Sequence, residues 1–347
     1  MDTHIASCLD SLQFSNSFIH GRMEVIPLFS SLEVSAEYLT LGQALAHNRI
    51  LITEVNKAGA VPELKVVNKG RIPILLIDGE EISGAKQNRV LNTSILVPGM
   101  AEVIIPVSCT EHGRWSYSSP FFSDSRVMMD YKIRAKKVAS VGMAMKYRES
   151  RASDQMEIWD EISLMSRKAK VESPTGAMKD VFEARAQALH EYLDAFPIQP
   201  GQQGVLIYLD NRPAGLEFLS RPEAYARIHE KLIRSYAMEA LIDDEAPPVP
   251  PDRAERPKAF IQRVLSCTDD SYPGVGLGTE HRLEGKDLVG SALLHEGVVV
   301  HLACFASDPG SAPSDRETMA GYRTRRASHA ARNEASRSRS AGDPLVG

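Results

Sequence analysis

The side chains best suited to chemistry crowd into one stretch, Leu75 to Trp115, which reads LLIDGEEISGAKQNRVLNTSILVPGMAEVIIPVSCTEHGRW. Glu80, Glu81 and Glu111 are its candidate catalytic carboxylates, since a carboxylate can take a proton or hold an attacking water or a ribose hydroxyl. Lys86, Gln87, Asn88, Arg89, Asn92, Arg114 and Trp115 are the candidate ligand-binding residues. Arg offers a planar fork of donors to a phosphate or carboxylate and Lys a point charge, while the amides and Thr93 add hydrogen-bond selectivity. Trp115 can stack on a base or a ribose face. His112 titrates near neutral pH and can serve as acid or base.

Each of these has a plainer reading. Glu80 and Glu81 suit a charged, solvated turn, and at most one of them faces any given pocket because successive strand residues point to opposite faces. The run from Lys86 to Arg89 can guard a strand edge against aggregation. Trp115 can be a core or rim aromatic, His112 a structural hydrogen-bonder and Cys109 a packed thiol.

The elements that position these residues are strands in the first third of the chain. Glu24–Phe29, Ile50–Val55, Leu64–Val67 and Ile74–Ile77 read as strands, with a short helix at Leu41–His47. Val90–Val97 and Glu102–Ser108 read as an antiparallel hairpin turning at Pro98-Gly99. From Ser125 to Ala195 the apolar period becomes helical. Met156, Trp159, Ile162 and Met165 mark one face, with Asp154 and Glu157 as a capping box. Val181, Ala184, Ala188, Tyr192 and Ala195 mark another, ended by Pro197 and Pro200.

A second hairpin, Val205–Leu209 to Gly215–Leu219, turns through Asp210-Asn211-Arg212-Pro213. Pro222 opens a helix carrying Tyr225, Ile228, Leu232, Tyr236 and Leu241 on one face. Ala246–Pro251 is Pro-rich and reads as an exposed linker between two helices of one unit. Strands return at Val275–Leu283, Val289–Leu294 and Val298–Phe305. The expected fold class is therefore α+β, with β-rich N- and C-terminal segments, mostly antiparallel hairpins, and amphipathic helices between them. Residues 1–22 read as a loose extension, 23–306 as a single domain, possibly of two β-containing halves, and 307–347 as a disordered Arg/Ser-rich tail.

The two halves echo one another. Ile77–Gly84 resembles Leu209–Gly215 and Ser94–Cys109 resembles Ser291–Cys304, either through duplication or through turn chemistry shared by all hairpins. Gly274-Val-Gly-Leu-Gly sits on an apparent strand with no helix to complete a dinucleotide site, so a bulged or closely approached strand is its plainer meaning. His301 alternates with Val300 and Leu302, and with Arg282 and Glu284 it forms either an inward polar cluster or a surface charge pair.

A 347-residue chain with 43% hydrophobic residues can fill a full core, and a formal net charge of −5 argues against a nucleic-acid or membrane-surface role for its body. Only the tail, through Arg323, Arg325, Arg326, Arg332, Arg337 and Arg339, carries a basic character suited to transient RNA contact. Cys8, Cys109, Cys267 and Cys304 are far apart and imply neither a zinc site nor a disulfide framework, which points to a reducing cytoplasm, and no metal-ligand set is read from the sequence. No secretory leader and no run of roughly 18 apolar residues is present. Nor is there a nucleophile elbow, phosphate loop or metalloprotease motif, and the sequence names no cofactor.

The segment GEEISGAKQNRVLNTSILVP followed by VIIPVSCTEHGRW resembles the family named for its association with ADP-ribosylglycohydrolases and rhodanese-phosphatase proteins. The likeness continues through DQMEIWDEI, GVLIYLDNRPAGLEFLSRPEAY, KLIRSYAMEAL and GVGLGTEHRLEGKDLVGSALLHEGVVVHLACF, covering most of residues 24–306. It implies a link to the processing of ADP-ribose or related NAD-derived nucleotides and brings no established reaction or catalytic set. On this reading Glu80–Trp115, with Gln155, Arg282 and His301, lines a site for a nucleotide-like small molecule. The alternative is a non-catalytic interaction module that works with an ADP-ribose-processing enzyme.

Overall fold

Strand β13 (Gly204–Leu209) is buried along its whole length, which shows how the chain is layered. Its Val205 and Ile207 join one hydrophobic cluster and its Leu206 and Tyr208 another, so apolar layers cover both faces of the sheet. In a computed structural model, residues 1–32, 36–56, 62–243, 250 and 255–307 are described. The tail beyond Ser307 and all of the Ala246–Pro251 linker except Pro250 lie outside these residues.

The sheet around β13 has nine antiparallel strands. It runs in the order β1 (Leu12–Phe14), β3 (Met23–Ser30), β13, β14 (Arg212–Leu219), β18 (Val298–Ala306), β17 (Leu288–His295), β16 (Thr279–Gly285) and β15 (Thr268–Pro273), with β2 (Phe18–His20) also on β3. One face is covered by α1 (Thr3–Ser11) and α8 (Pro257–Leu265), through Ile5, Leu9, Phe260 and Val264. The other carries α3 (Tyr131–Arg148), α4 (Gln155–Lys168), α5 (Met178–Ala184), α6 (Ala186–Ala195) and α7 (Pro222–Ile242). The α+β class, with β-rich ends and helices between, is as the sequence leads one to expect.

Two smaller sheets share a third core that includes Leu41, Ile52, Val66, Leu76, Ile82 and Ile105. One contains β4 (Leu39–Thr40), β7 (Ile74–Leu76) and β10 (Ile95–Val97), and α2 (Leu41–Ala46) follows β4 directly. The other runs in the order β12 (Phe122–Met128), β8 (Glu80–Gly84), β9 (Arg89–Leu91), β11 (Glu102–Cys109), β6 (Glu63–Asn68), β5 (Ile50–Glu54). No described helix is long and apolar enough to cross a membrane.

Four readings of the sequence change. The expected hairpin of Val90–Val97 with Glu102–Ser108 does not form, because Asn92, Thr93 and Ser94 break the first strand in two. β10 then pairs with β7, while β11 pairs with β6 and β9. The first members of both echoes are consequently not hairpins, whereas β13–β14 and β17–β18 are, so the likeness in sequence is not matched by a likeness in strand pairing. The residues read as a loose extension form α1, β1 and β2, capped by the Asp2 side chain and paired on β3. Strands of three residues are too short to display an alternation. Last, the helical period from Val181 to Ala195 is two helices that meet at Arg185.

Gly276 explains the Gly-rich segment. A Cβ at this position would collide with the carbonyl of Leu96, and the neighbouring Leu277 bridges to Leu96 across the sheets. The glycine therefore serves close backbone approach.

Candidate functional site

β8 begins just after Gly79, whose φ of +87° sets the tight turn, and a Cβ there would strike the Arg134 side chain. Glu80 and Glu81 then alternate onto different partners, as strand geometry requires. Glu80 accepts from Lys231 Nζ at 2.8 Å and from the Ile77 backbone N–H at 3.1 Å. Lys231 also donates to Asp124 at 2.7 Å, and the three side chains line a cavity of about 190 Å³ with Gln43, His47 and Arg227.

Glu81 accepts from Thr110 Oγ1 at 2.5 Å, and its Oε2 has no hydrogen-bond partner among the described residues. Burial pushes its carboxyl up to about 7, with the Thr110 hydrogen bond pulling the other way.

Glu111, on the loop after β11, is held in a clamp. It accepts from Arg114 Nε and Nη2 at 2.9 and 2.7 Å, from Thr175 Oγ1 at 2.8 Å and from the Asn88 backbone at 3.1 Å. Burial works against its charge, but Arg114, Thr175 and Asn88 outweigh it and leave the carboxyl below its ordinary range. Arg114 donates in addition to the Ala85 and Ser116 carbonyls, Ser118 Oγ and Asn88 Oδ1. The fork expected to meet a phosphate is thus already filled.

Arg89 on β9 is completely buried. Its Nη1 donates to Gln87 Oε1 at 3.1 Å, and the same oxygen accepts from the Cys109 thiol. Burial raises the Cys109 thiol to about 11, which makes it a packed thiol rather than a nucleophile. Above Arg89 lies the Trp115 ring, its centroid 5.9 Å away. Lys86 Nζ stands 5.1 Å from the Trp115 centroid and 5.3 Å from that of Tyr117. Such spacing is that of a cation held between aromatic faces. Trp115 and Tyr117 are about half exposed, so this cluster opens to solvent.

The model of one protein family matches residues 11–305, most of the chain. The chain belongs to the ARG and Rhodanese-Phosphatase-superfamily-associated Protein domain family, ARPP-1. Searches of curated proteins and of solved structures gave no match. The family description carries an association with ARG and rhodanese-phosphatase-superfamily proteins, and the narrower link to ADP-ribosylglycohydrolases goes beyond it.

The ARPP-1 domain does not bring all the candidate residues together. Lys86, Gln87, Asn88, Arg89, Glu111, Arg114 and Trp115 form one contiguous group. Glu80 belongs to the Lys231 cavity instead. Asn92 accepts from Ser108 and donates to the Arg151 carbonyl. Gln155 brackets the Cys109 backbone, accepting from its N–H and donating to its carbonyl. His112 packs edge-on against Trp159. Arg282 is buried on Glu280, not on Glu284, and Glu280 also accepts from Thr93 and Arg151.

Sequence reasoning missed a second polar network, deep between the nine-stranded sheet and α3. Arg134 pairs with Glu217 at 2.5 Å, Tyr236 donates to Glu217 at 3.1 Å, and Lys137 pairs with Asp78. His301 joins through Ser94 Oγ, 2.8 Å from its Nδ1. A bulge at Val300 puts that residue in the same cluster as Ala303, so the simple alternation expected around His301 fails. Burial lowers Lys137 to about 8 even beside Asp78. One signal was available: Glu217 stands alone in the apolar run Gly215–Leu219, where an ionised side chain needs a buried partner.

Proposed function

We propose that this domain binds a nucleotide-like ligand, ADP-ribose or a related NAD-derived nucleotide, at the group formed by Lys86, Arg89, Trp115 and Tyr117. The observation that carries the reading is the Lys86 ammonium placed between two half-exposed aromatic rings, above a buried guanidinium. A base or ribose face has an aromatic surface to stack on, and the adjacent cation suits a phosphate. Gln87, Asn88, Glu111 and Arg114 act as the frame that fixes the loop, since their polar groups are used on one another.

The reading is one of binding. Glu80 is ion-paired on a different cavity, Glu111 is clamped, and Glu81 is buried away from solvent. An intracellular setting fits four unpaired cysteines. Thermal unfolding in the presence of ADP-ribose, NAD and unrelated nucleotides tests it: a dose-dependent rise with the first two is expected, and no shift at millimolar ligand removes the proposal.

A second reading draws on Trp115, Tyr117 and Phe121, which are 48%, 52% and 51% exposed within seven residues of sequence. Aromatics displayed in this way suit a protein interface, the partner being an ADP-ribose-processing enzyme. Binding of such an enzyme that Trp115→Ala abolishes, together with no response to free ADP-ribose, would favour it.

A further inference from the structure

The cavity of about 190 Å³ between α2 and α7 shares no lining residue with the Lys86 cluster, and the nucleotide reading leaves it unused. Its charges are sorted by depth. Glu80 and Lys231 are buried and Asp124 is half-buried, whereas Arg227 and His47 are exposed at the mouth. Two carboxylates against one ammonium give the floor a net negative charge, and the Arg227 guanidinium makes the mouth positive.

Several polar atoms on this wall are still unused. Lys231 Nζ donates to Glu80 Oε1 and Asp124 Oδ1, at 2.8 and 2.7 Å. Asp124 is aimed by a bulge in β12, where Arg126, at a φ of +61°, donates its backbone N–H to the same Oδ1 at 2.9 Å. Asp124 Oδ2 is left with no hydrogen-bond partner among the described residues. It stands against Gly42 on the cavity wall, 3.2 Å from where a Cβ on that glycine would lie. At the side, the capping box of α2 fixes the Gln43 amide: its Oε1 accepts from the Thr40 N–H and hydroxyl, which leaves the Nε2 donors over. Arg227 makes no side-chain hydrogen bond or ion pair among the described residues.

The cavity thus presents an anionic acceptor inside and cationic and amide donors outside. A simple anion would be attracted by Arg227 but repelled by the floor, and a simple cation the reverse. A molecule that bears both charges satisfies each end. The space is somewhat larger than the roughly 150 Å³ that encloses benzene, so it holds roughly six to ten non-hydrogen atoms, far fewer than a nucleotide has. Arg227 and Lys231 are four residues apart on α7, about 6 Å along the axis, which favours a ligand with its charges at opposite ends.

We propose that this cavity is a second site, one that binds a short zwitterionic amino acid. The ligand's ammonium donates to Asp124 Oδ2, and its carboxylate accepts from Arg227 and Gln43 Nε2. Charge-assisted bonds at both ends make the pairing selective for molecules that carry both groups. The assignment does not depend on the nucleotide reading.

Calorimetric titration of the full chain with γ-aminobutyrate, glycine, butyrate and butylammonium tests it. Saturable binding of γ-aminobutyrate is expected, tighter than glycine and at least about tenfold tighter than either singly charged analogue. Asp124→Asn and Arg227→Met should each weaken it about tenfold, and Trp115→Ala should leave it unchanged. Ala46→Phe places a ring at the exposed edge of the cavity and removes no polar group, so it should block binding and serves as the second variant if Asp124→Asn does not fold. The site is overturned if neither amino acid binds, if butyrate or butylammonium binds as tightly as γ-aminobutyrate, or if the affinity is unchanged in folded Arg227→Met and Ala46→Phe.

Discussion

Replacing Glu81 by Gln should make the protein's response to pH visibly flatter. The Glu81 side chain is completely buried, accepts one hydrogen bond from Thr110 and leaves Oε2 without a partner among the described residues. Burial raises its carboxyl from 4.5 to about 7. The folded state therefore holds the proton more tightly than the unfolded chain, and stability falls as pH rises from the unfolded value to the folded one. Integrating that linkage for one group gives a destabilisation of roughly 1 kcal/mol at pH 5 and about 3.5 kcal/mol at pH 9, a growth of about 2.5 kcal/mol. Gln cannot ionise and can still accept from Thr110. Urea unfolding of both proteins at several pH values gives the difference directly: Glu81→Gln should be near neutral at pH 5 and more stable than wild type at pH 9. A stability difference that does not change across this range would refute the placement of an ionisable, desolvated Glu81.

Three further outcomes follow from the packing. Arg134→Met strands the buried Glu217 carboxylate and should cost about 3–5 kcal/mol in urea unfolding, with Arg134→Met/Glu217→Leu recovering part of the loss; a double variant no better than the single one would contradict this. Asp154→Ala removes the side chain that caps the Glu157 N–H at the start of α4, and a loss of about 1 kcal/mol is expected by the same measurement. Gly79→Ala meets both a φ of +87° and the Arg134 side chain, so its melting temperature should drop by more than that of Gly142→Ala, where a Cβ has open space.

Much of the fold was legible because local signals agreed with long-range packing. Pro222 opens α7 and its Tyr225, Ile228, Leu232 and Tyr236 are buried as their spacing requires. Asp210-Asn211 adopts positive φ at both residues and turns the β13–β14 hairpin. The α4 stripe is rotated slightly from expectation: Ile158, Ile162 and Met165, one face at helical spacing, are buried, while Met156 and Trp159 are half-buried at its edge. The division of β9 from β10 had a local mark in Asn92, Thr93 and Ser94, which interrupt the apolar residues of Val90–Val97, but their polarity does not show that the two flanking pieces pair with different strands.

The candidate site was legible in part for the same reason. A polar residue's type shows that it needs a partner but not where the partner comes from. Lys86, Arg89 and Trp115 meet because β9 and the loop after β11 adjoin, and sequence proximity suggested as much. Glu54 lies far away in sequence and reaches Arg89 only through the arrangement of the six-stranded sheet, so nothing in its neighbourhood marked it. Lys231 likewise draws Glu80 to another cavity, and Arg134 and Lys137 on α3 select Glu217 and Asp78.

Trp115 reports directly on whether the Lys86 cluster is a ligand site. The chain has two tryptophans, so Trp159→Phe leaves Trp115 as the sole source of indole fluorescence. Titration of that variant with ADP-ribose should produce a saturable change in emission that Lys86→Ala weakens by about tenfold or more. Emission that does not change up to millimolar ADP-ribose, in a variant that melts like wild type, would contradict nucleotide binding at this site.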